Sequence, residues 1–401
     1  MHSKGLIFAA LAGASLIAMP AAAKPAEANG AKPIANQYIC VFHKGAVSKN
    51  LVKVAAEGAV RGNGGRVMHT YKNTIRGFST YMPEKAMERM KAKNPGIAYC
   101  EQDRVFSLGP IDVTPMAPPA GKGPGGGGGG GGGGGETLTH DDGDPETPYG
   151  IDRVHGGESY TGTHVAYVID SGIDLDHPDL VVDTARSRDF TGENNGGQDL
   201  NGHGTHVAGT IAAKKDGKGV AGVAAGATVI AVRVLDSSGS GAYSAVIAGV
   251  DYAGGGKPGD VANMSLGGGF SQALNDAVVA ASEGGVLFAL AAGNERADTS
   301  RKSPASAEGP NIYTIAAIDS TDSWASFSNY GDEVDFAEPG VGIVSTYLDG
   351  KFASLSGTSM ASPHAAGILL WGEGITVEGG VTRRKDSYSI GILGSGPAPH
   401  N

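Results

Sequence analysis

Residues 165–172 read Val165-Ala166-Tyr167-Val168-Ile169-Asp170-Ser171-Gly172, five apolar side chains followed by a carboxylate and a glycine. A continuous apolar run, as opposed to an alternating one, is typical of a strand that is buried on both faces of a parallel sheet. Functional residues of such sheets lie beyond the carboxyl ends of the strands. Asp170 therefore occupies a position where a reactive group is expected.

Comparable apolar runs recur after this one and alternate with helical patterns. The predicted strands are 164–169, 228–235, 261–265, 286–291 and 312–317, and the predicted helices are 204–213, 242–253 and 272–282. This alternation predicts an α/β domain over residues 146–401, with a parallel sheet covered by helices on both faces. Residues 381–393 look like two further strands, and residues 368–401 carry no feature that predicts a role.

Residues 37–108 have a different pattern. Strands are predicted at 38–42, 65–71, 77–82 and 97–100, and helices at 47–60 and 83–94. The order β-α-β-β-α-β is that of the ferredoxin-like fold, in which the first and last strands are neighbours. Cys40 and Cys100, the two cysteines of the chain, lie on those strands. A disulfide and a pair of buried free thiols are equally compatible with this pattern.

Charge is distributed unevenly along the 401 residues, whose net charge is −10. Residues 24–110 contain 14 basic and 6 acidic side chains, whereas residues 111–401 contain 16 and 35. The overall acidic balance argues against a nucleic-acid partner, because such a protein must neutralise phosphates. The opposite signs of the two segments predict that they attract each other.

The first 23 residues have the pattern of a secretory signal. A basic start precedes a 14-residue apolar run and the stretch Ala21-Ala22-Ala23. A membrane span needs about 20 apolar residues, so we expect cleavage, a secreted or periplasmic protein and no membrane association afterwards. Residues 109–136 are Pro/Gly-rich and include eleven consecutive glycines, which predicts a flexible linker between the two domains.

Three short motifs carry the candidate chemistry. They are Asp170-Ser171-Gly172 after a strand, His203-Gly204-Thr205-His206 at a helix start, and Gly357-Thr358-Ser359-Met360-Ala361-Ser362-Pro363-His364 at another. A serine hydroxyl is a weak nucleophile at neutral pH, and it needs an imidazole to accept its proton and a carboxylate to orient that imidazole. All three groups are available here in the order Asp, His, Ser.

In the order of these motifs and in the residues around them, the sequence resembles the subtilisin-like serine proteases, and within them the proteinase K branch. Three further segments match the family in register, namely Asn263-Met264-Ser265-Leu266-Gly267-Gly268, Ala291-Ala292-Gly293-Asn294 and Ser326-Phe327-Ser328-Asn329-Tyr330-Gly331. The resemblance covers residues 149–367, and residues 37–108 resemble a subtilisin propeptide. It implies the seven-stranded parallel sheet of subtilisin, preceded by a ferredoxin-like α+β propeptide domain.

The resemblance also implies a role for each matching residue. Ser359 corresponds to the nucleophile, His203 to the general base, Asp170 to the carboxylate behind it and Asn294 to the side-chain donor of the oxyanion hole. The segments Gly239-Ser240-Gly241 and Ser265-Leu266-Gly267 would flank an extended substrate. Ala291, Ala292 and Gly293 would line an apolar pocket, and Tyr243 a more distant one, which together imply a preference for apolar or aromatic residues.

Calcium is the cofactor that the resemblance implies, and no organic cofactor is expected. Asp335 corresponds to a carboxylate ligand, with the main-chain carbonyls of Pro310 and Ile312 beside it; hard oxygen donors of this kind suit calcium. A second family site would need Asp179, but three lysines, Lys214, Lys215 and Lys218, crowd the loop that would complete it. We therefore expect no ion there.

The function implied is that of a secreted serine endopeptidase, made as a self-processing zymogen and active as a monomer. Its partners would be extended polypeptide substrates and its own propeptide, acting as chaperone and inhibitor. One alternative is a binding protein on an inactive protease fold. An α/β-hydrolase esterase is disfavoured, because the sequence around Ser359 lacks the second glycine of the nucleophile elbow and only 42 residues follow it.

Overall fold

The computed structural model describes residues 31–109, 112–116 and 146–394. The predicted signal at 1–23 and most of the predicted linker at 109–136 lie outside these ranges. Residues 31–109, the amino-terminal module, contain β1 (Lys32–Phe42), α1 (Val52–Val60), β2 (Arg66–Tyr71), β3 (Gly77–Tyr81), α2 (Glu84–Lys93) and β4 (Ile97–Ser107), with a 3-10 turn at Lys49–Leu51. The element order is the predicted β-α-β-β-α-β.

The four strands of the module form an antiparallel sheet in the order β4-β1-β3-β2, as the ferredoxin-like prediction requires. Helices α1 and α2 cover one face of it and share a small buried core with Tyr38, Cys40 and Phe42 of β1. Cys40 stands directly opposite Cys100 in the β1–β4 ladder, with their Cα atoms 4.1 Å apart, and the two form a disulfide. The alternative of two free thiols is thus wrong.

Two strands of the module are longer than predicted. β1 begins at Lys32, before the expected boundary at Gln37, because Lys32 and Pro33 pair with the far end of β4. β4 continues from Cys100 to Ser107 through a polar run that has no strand-like alternation. The carboxylates of this run accept hydrogen bonds from main-chain N–H groups at helix starts. Glu101 accepts from the Ala273 N–H, and Asp103 accepts from the Ser244 N–H. Those donors are distant in sequence, so no local pattern could reveal them.

Residues 146–394, the main body, are built around one large sheet. Their helices are α3 (Tyr149–Arg153), α4 (His203–Ala212), α5 (Tyr243–Ala253), α6 (Gln272–Glu283) and α7 (Thr358–Leu370), with a 3-10 turn at Thr299–Arg301. The strands, numbered after β5 (Thr114–Met116), are β6 (Glu158–Ser159), β7 (Ala166–Asp170), β8 (Val181–Val182), β9 (Arg188–Asp189), β10 (Ala224–Ala225), β11 (Thr228–Arg233), β12 (Ser240–Ala242), β13 (Val261–Met264), β14 (Gly268–Gly269), β15 (Leu287–Ala291), β16 (Lys302–Ser303), β17 (Ile312–Ile318), β18 (Phe336–Pro339), β19 (Ile343–Tyr347), β20 (Lys351–Leu355), β21 (Ile375–Arg383) and β22 (Asp386–Leu393).

The large sheet runs β21-β22-β18-β17-β15-β13-β7-β11-β8, and β9 also pairs with β11. The seven strands from β22 to β11 are mutually parallel, whereas β21 is antiparallel to β22. The predicted parallel sheet is therefore confirmed. The two strands predicted within residues 381–393 are present as a hairpin that begins earlier, at Ile375.

Helices pack on both faces of this sheet. α4 and α7 bury one set of strand side chains, including Val168 of β7, and α5 and α6 bury the alternate set, including Ile169. The buried cluster around α5 and α6 also contains Ile39 and Val41 of β1. The amino-terminal module therefore packs on α5 and α6 through the face of its sheet that its own helices do not cover. None of the helices in the described part of the chain has the length and apolar character of a bilayer span.

Candidate functional site

The last residue of β7, Asp170, is fully buried at the carboxyl end of the central sheet. Its Oδ1 accepts from the Ser171 main-chain N–H at 2.7 Å and lies 2.8 Å from Nδ1 of His203. An ionised carboxylate can only accept, so the imidazole donates from Nδ1 and leaves Nε2 as its acceptor. This pairing provides a base whose tautomer is fixed.

His203 is the first residue of α4, and Asp199 holds this helix start in place. Asp199 accepts from the N–H groups of Gly202 and Thr205 at 3.0 Å each, as well as from two hydroxyls. It therefore satisfies donors that a helix start leaves without internal partners. Gly202 has φ of 102°, a left-handed conformation that glycine adopts without strain, and it turns the chain into the helix.

The protonation of His203 reflects two opposing effects. Burial lowers its pKa, but the charge and hydrogen bond of Asp170, with a smaller contribution from Asp199, outweigh burial and raise the pKa above 6.5. The two neighbouring histidines behave differently. Burial lowers the pKa of His206 to about 3 and that of His364 to about 4, so both stay neutral inside their helices.

Ser359 is the second residue of α7, and Pro363 follows it by four positions. Proline has no N–H to donate to the carbonyl four residues earlier, so the Ser359 carbonyl lacks its helical partner. Ser265 replaces that partner, since its Oγ donates to the Ser359 carbonyl at 2.7 Å. In return the Ser359 Oγ donates to the Ser265 carbonyl at 3.1 Å. The loop after β13 thereby fixes the start of α7.

Asn294 lies beside the same helix start. Its Oδ1 accepts from the N–H and the hydroxyl of Thr358, both at 2.9 Å, which directs its amide nitrogen toward Gly357. A Cβ atom at position 357 would lie 3.3 Å from Asn294 Nδ2 and 3.6 Å from the Ser359 nitrogen. The two donors thus border one small space, and the missing side chain of Gly357 keeps that space open.

The predicted pocket wall follows β15. Ala291 and Ala292 are buried, and Ala292 donates its N–H to Ile315 of the next strand. Gly293 has φ of 101°, and its N–H bonds the Thr358 hydroxyl at 3.0 Å. The turn after this strand is therefore bonded to the helix that carries Ser359. Leu266 in the predicted substrate-flanking segment Ser265-Leu266-Gly267 is also buried.

The predicted substrate-flanking segment Gly239-Ser240-Gly241 is occupied by the chain itself. β12 pairs antiparallel with β4, with Ser240 opposite Ser107 and Gly241 opposite Phe106. The Leu108 N–H continues this ladder to the Gly239 carbonyl at 3.0 Å. The rings of Phe106 and Tyr243 lie 5.3 Å apart, so an aromatic side chain of the module lies at the predicted distant pocket.

The predicted calcium residues lie at one edge of the large sheet. Asp335 immediately precedes β18, and its Oδ2 accepts from the Thr314 N–H at 2.8 Å. Burial of the carboxylate, with a smaller contribution from Glu308, raises its pKa to about 6. Ile312 begins the adjacent strand, and Pro310 precedes it in an exposed turn. Within the described residues, no three acidic, histidine or cysteine side chains cluster as a metal site.

The structural roles of several residues were not predicted from the sequence. Asp199 had a readable signal, because an acidic residue shortly before a helix start suggests a cap. The hydroxyl of Ser265, expected only to flank substrate, had none, because its partner Ser359 is 94 positions away. Asp251 on α5 also had none. It accepts from three consecutive N–H groups, those of residues 72–74 of the module, at 2.7 to 3.0 Å.

Comparison with known proteins identifies the family of the chain. Residues 161–371 match the model of the Subtilase family. The chain is 35% identical to alkaline serine protease ver112 of Corniculantispora psalliotae over 376 residues, covering 92% of this chain and 88% of that protein. It is 34% identical to Proteinase R of Parengyodontium album over 361 residues, covering 86% and 81%.

A solved structure, that of a cold adapted subtilisin-like serine proteinase, is 35% identical in sequence. It aligns with a TM-score of 0.54 and covers 62% of this chain and 98% of that one. The family match includes β7, α4 and α7, the three elements that carry the candidate catalytic residues. The chain therefore belongs to the subtilase family and is a serine endopeptidase.

Proposed function

We propose that this chain is a secreted, self-processing endopeptidase in which Ser359, His203 and Asp170 form the catalytic triad. The observation that carries the proposal is the 2.8 Å contact between the His203 Nδ1 and Asp170, at the end of the sheet where the Ser359 helix also begins. Self-processing is supported by β4, which runs along β12 as an extended substrate would. Secretion is supported by the signal-like pattern of residues 1–23.

In the acylation step, Ser359 exchanges its hydrogen bond to Ser265 for one to the His203 Nε2. As the Ser359 Oγ bonds to the substrate carbonyl carbon, His203 accepts the hydroxyl proton, and Asp170 stabilises the resulting imidazolium. The carbonyl oxygen becomes an oxyanion in the space bordered by Asn294 and the Ser359 N–H. When the C–N bond breaks, His203 gives the proton to the leaving amine.

Deacylation repeats these roles with water as the nucleophile. His203 removes a proton from the water, the hydroxide adds to the ester carbon, and the proton returns to Ser359 as the acid product leaves. The oxyanion is again stabilised by Asn294 and the main-chain N–H. Donors that are already fixed stabilise developing charge without reorganisation, and in subtilisin the loss of one such donor costs about 10²- to 10³-fold in turnover.

The amino-terminal module is proposed to act as propeptide, folding template and inhibitor, with boundaries near residues 37 and 108. The support for the second boundary is the place where the chain leaves one strand of the main body and joins another. Leu108 is the last module residue that bonds to the β12 side of the groove, and Thr114 is the first residue that bonds to β20. The first cut is therefore expected between residues 108 and 114, followed by trimming that leaves a mature start between residues 121 and 149.

The proposed specificity is broad, for apolar and aromatic side chains. Phe106 lies against Tyr243, and the wall made by Ala291, Ala292 and Gly293 is small and carries no charge. Pockets of this character bind by apolar contact, and one methylene changes the preference by only about 1–3 kcal/mol. The substrates are extended polypeptides, and the active protein is expected to be a monomer without nucleic-acid or membrane partners.

Calcium is proposed to bind at Asp335 with the carbonyls of Pro310 and Ile312. The residues fit such an ion, because a carboxylate whose pKa is raised by burial gains from a nearby cation, and the available donors are all oxygens. A bound ion would stabilise the edge where β17 and β18 meet, and it takes no part in the reaction. Chelation should lower the unfolding temperature without changing the initial rate of peptide cleavage.

Replacement of the nucleophile tests the proposal. The Ser359→Ala precursor, expressed in a protease-free host, should stay uncut apart from loss of its signal and should not hydrolyse casein. Ser356→Ala, which changes an exposed serine just before the same helix, should be processed normally. Removing a triad member costs several orders of magnitude in related enzymes. Normal processing of Ser359→Ala would refute self-cleavage, and an inactive wild type would favour the binding-protein alternative.

A further inference from the structure

The short strand β5 lies outside both the amino-terminal module and the main body, and it pairs with β20. The ladder is antiparallel, with Thr114 opposite Ser354, Pro115 opposite Ala353 and Met116 opposite Phe352. β20 is the strand that leads into the Ser359 helix, and Ser354 precedes Ser359 by only five positions. β5 is thus bound to the strand that leads into the helix of the proposed nucleophile.

A second ladder binds the same chain to β12. There Phe106 and Ser107 pair with β12, and Leu108 bonds to Gly239. The six-residue step from Leu108 to Thr114 spans at most about 22 Å when extended, at about 3.3–3.6 Å per residue. One polypeptide is therefore bound by β12 before this step and by β20 after it.

We propose that β20 is a docking strand for polypeptide substrates on the leaving-group side of the scissile bond, occupied in the precursor by Thr114–Met116. The inference rests on the proposed function, because it assumes that Ser359 cuts the chain between the two ladders. Antiparallel addition to an exposed strand binds through main-chain hydrogen bonds and accepts many sequences, which suits a protease of broad preference.

Side-chain contacts point to one apolar subsite within this surface. Met116 is half-buried and packs against the cluster that contains Phe352, whereas Thr114 and Pro115 are exposed. Phe352 is itself buried, with the His177 ring 5.9 Å away edge-on. Packing therefore holds the Phe352 side chain, which forms the base of the subsite, in place. Substrates should gain most when they carry an apolar residue at the place of Met116 and impose little elsewhere along the strand.

The position of the cut fixes how long a substrate must be to use this surface. If the cut falls between residues 108 and 114, Met116 is the third to eighth residue after the scissile bond. A substrate that extends eight residues on the leaving side reaches the subsite in every case. Substrates that end two residues after the bond reach the Met116 subsite in none.

Two quenched fluorescent peptides with a common sequence before the bond test the proposal on the self-processed enzyme. One ends two residues after the bond, and the other continues for eight residues with apolar β-branched side chains. We expect kcat/KM about tenfold higher for the long peptide, because a few added main-chain hydrogen bonds and one buried side chain contribute modestly each. A long peptide with proline at every position from the third after the bond has no main-chain donor left for the ladder, whichever register it takes, and should lose that gain.

Equal kcat/KM for the long and short peptides would overturn the docking strand while leaving the proposed function intact. Failure to cleave either peptide would instead contradict the proposed function. A proline-containing peptide that kept the full gain would also overturn the proposal, because the gain would then not come from strand pairing.

A variant of the full-length chain tests the same surface in the precursor. Met116→Asp should slow the first cut several-fold, because the charge cannot enter the apolar subsite. Val54→Asp makes the same change at a side chain that is 64% exposed on the amino-terminal module, and it should leave the rate unchanged. Equal rates of the first cut for wild type and Met116→Asp would overturn the assignment of the subsite.

Discussion

The two sheets of the molecule differ in what covers their faces. The sheet of the main body has its own helices on both faces, with α4 and α7 on one and α5 and α6 on the other. The sheet of the amino-terminal module has its own helices on one face only. Along β1 the side chains alternate, so that Cys40 points to the module's own core and its neighbours Ile39 and Val41 to the cluster shared with α5 and α6.

This difference leads us to expect that the main body is stable alone, whereas the module depends on the main body. A module of about 80 residues with a single small core is expected to be only marginally stable. The disulfide and the contacts to the main body supply what its core lacks. The main body has no cysteine and needs none, because it buries both faces of a long sheet. Such an asymmetry would suit the proposed role of the module as an inhibitor that later leaves the enzyme.

Of the changes considered, loss of the disulfide should have the largest effect on the stability of the module relative to that of the main body. Replacing Cys40 and Cys100 by alanine in the Ser359→Ala precursor reopens a loop of 60 residues, for which chain entropy gives at most about 4 kcal/mol. Hydrogen exchange should then show that β1 amides open more easily by up to that amount, with β7 amides unchanged. Equal loss of protection in both strands would show that the two parts unfold as one unit. Reductant should not affect the processed enzyme.

The next largest effect is expected at the contact between the module and α5. Asp251→Ala removes the acceptor of the N–H groups of residues 72–74 and of the Thr74 hydroxyl, and each buried donor left unpaired costs about 1–3 kcal/mol. Because water reaches part of this site, we expect the inhibition constant of the added module to rise on the order of 10²-fold. Peptide cleavage by the processed enzyme should not change.

Asp276→Ala is the matched control on α6, since Asp276 bonds only one module side chain, the Tyr99 hydroxyl at 2.6 Å. Its effect should be less than about fivefold, the size of a single exchangeable hydrogen bond. Similar inhibition constants for the two variants would mean that the Asp251 contact does not hold the module in place.

A smaller effect is expected from pH, and it belongs to the main body alone. The proposed mechanism needs neutral His203, and Asp170 raises the pKa of His203 above 6.5 despite burial. The value of kcat/KM should therefore fall as pH drops through a midpoint above 6.5, about tenfold for each further pH unit. Asp199→Asn removes a charge that also raises this pKa, so its midpoint should be lower. A midpoint below 6.5 in the wild type would contradict the proposed pairing.

The smallest expected effect is that of salt on the encounter of the two parts. Residues 24–110 carry 14 basic and 6 acidic side chains against 16 and 35 in residues 111–401, so their attraction should speed association. Because charges are screened over about 8 Å at physiological ionic strength, the association rate should fall several-fold from about 20 to 500 mM salt. The dissociation rate should change less. An association rate that does not change with salt would show that charge attraction does not speed the association.

The sequence predicted the order of helices and strands in the amino-terminal module, the class of the large sheet and the candidate catalytic residues, but not the short strands of the main body, such as β12 and β20. The continuous apolar run that ends at Asp170 and the helix starts at His203 and Ser359 are patterns within a few residues, and short windows carry such patterns. Element ends were less well predicted where a distant partner extends a strand, as in β4, whose polar residues bond to the starts of α5 and α6.

Only the tertiary structure decided which distant groups meet. The bridge between Cys40 and Cys100 depended on the register of β1 and β4, and one residue of slip would have placed the two side chains on opposite faces. The exchange between Ser265 and Ser359, the Asp251 contact and the pairing of β5 with β20 join residues that are at least 94 positions apart. Sequence periodicity reports which face a side chain prefers, but not which partner reaches it, because that partner is set by the packing of the whole chain.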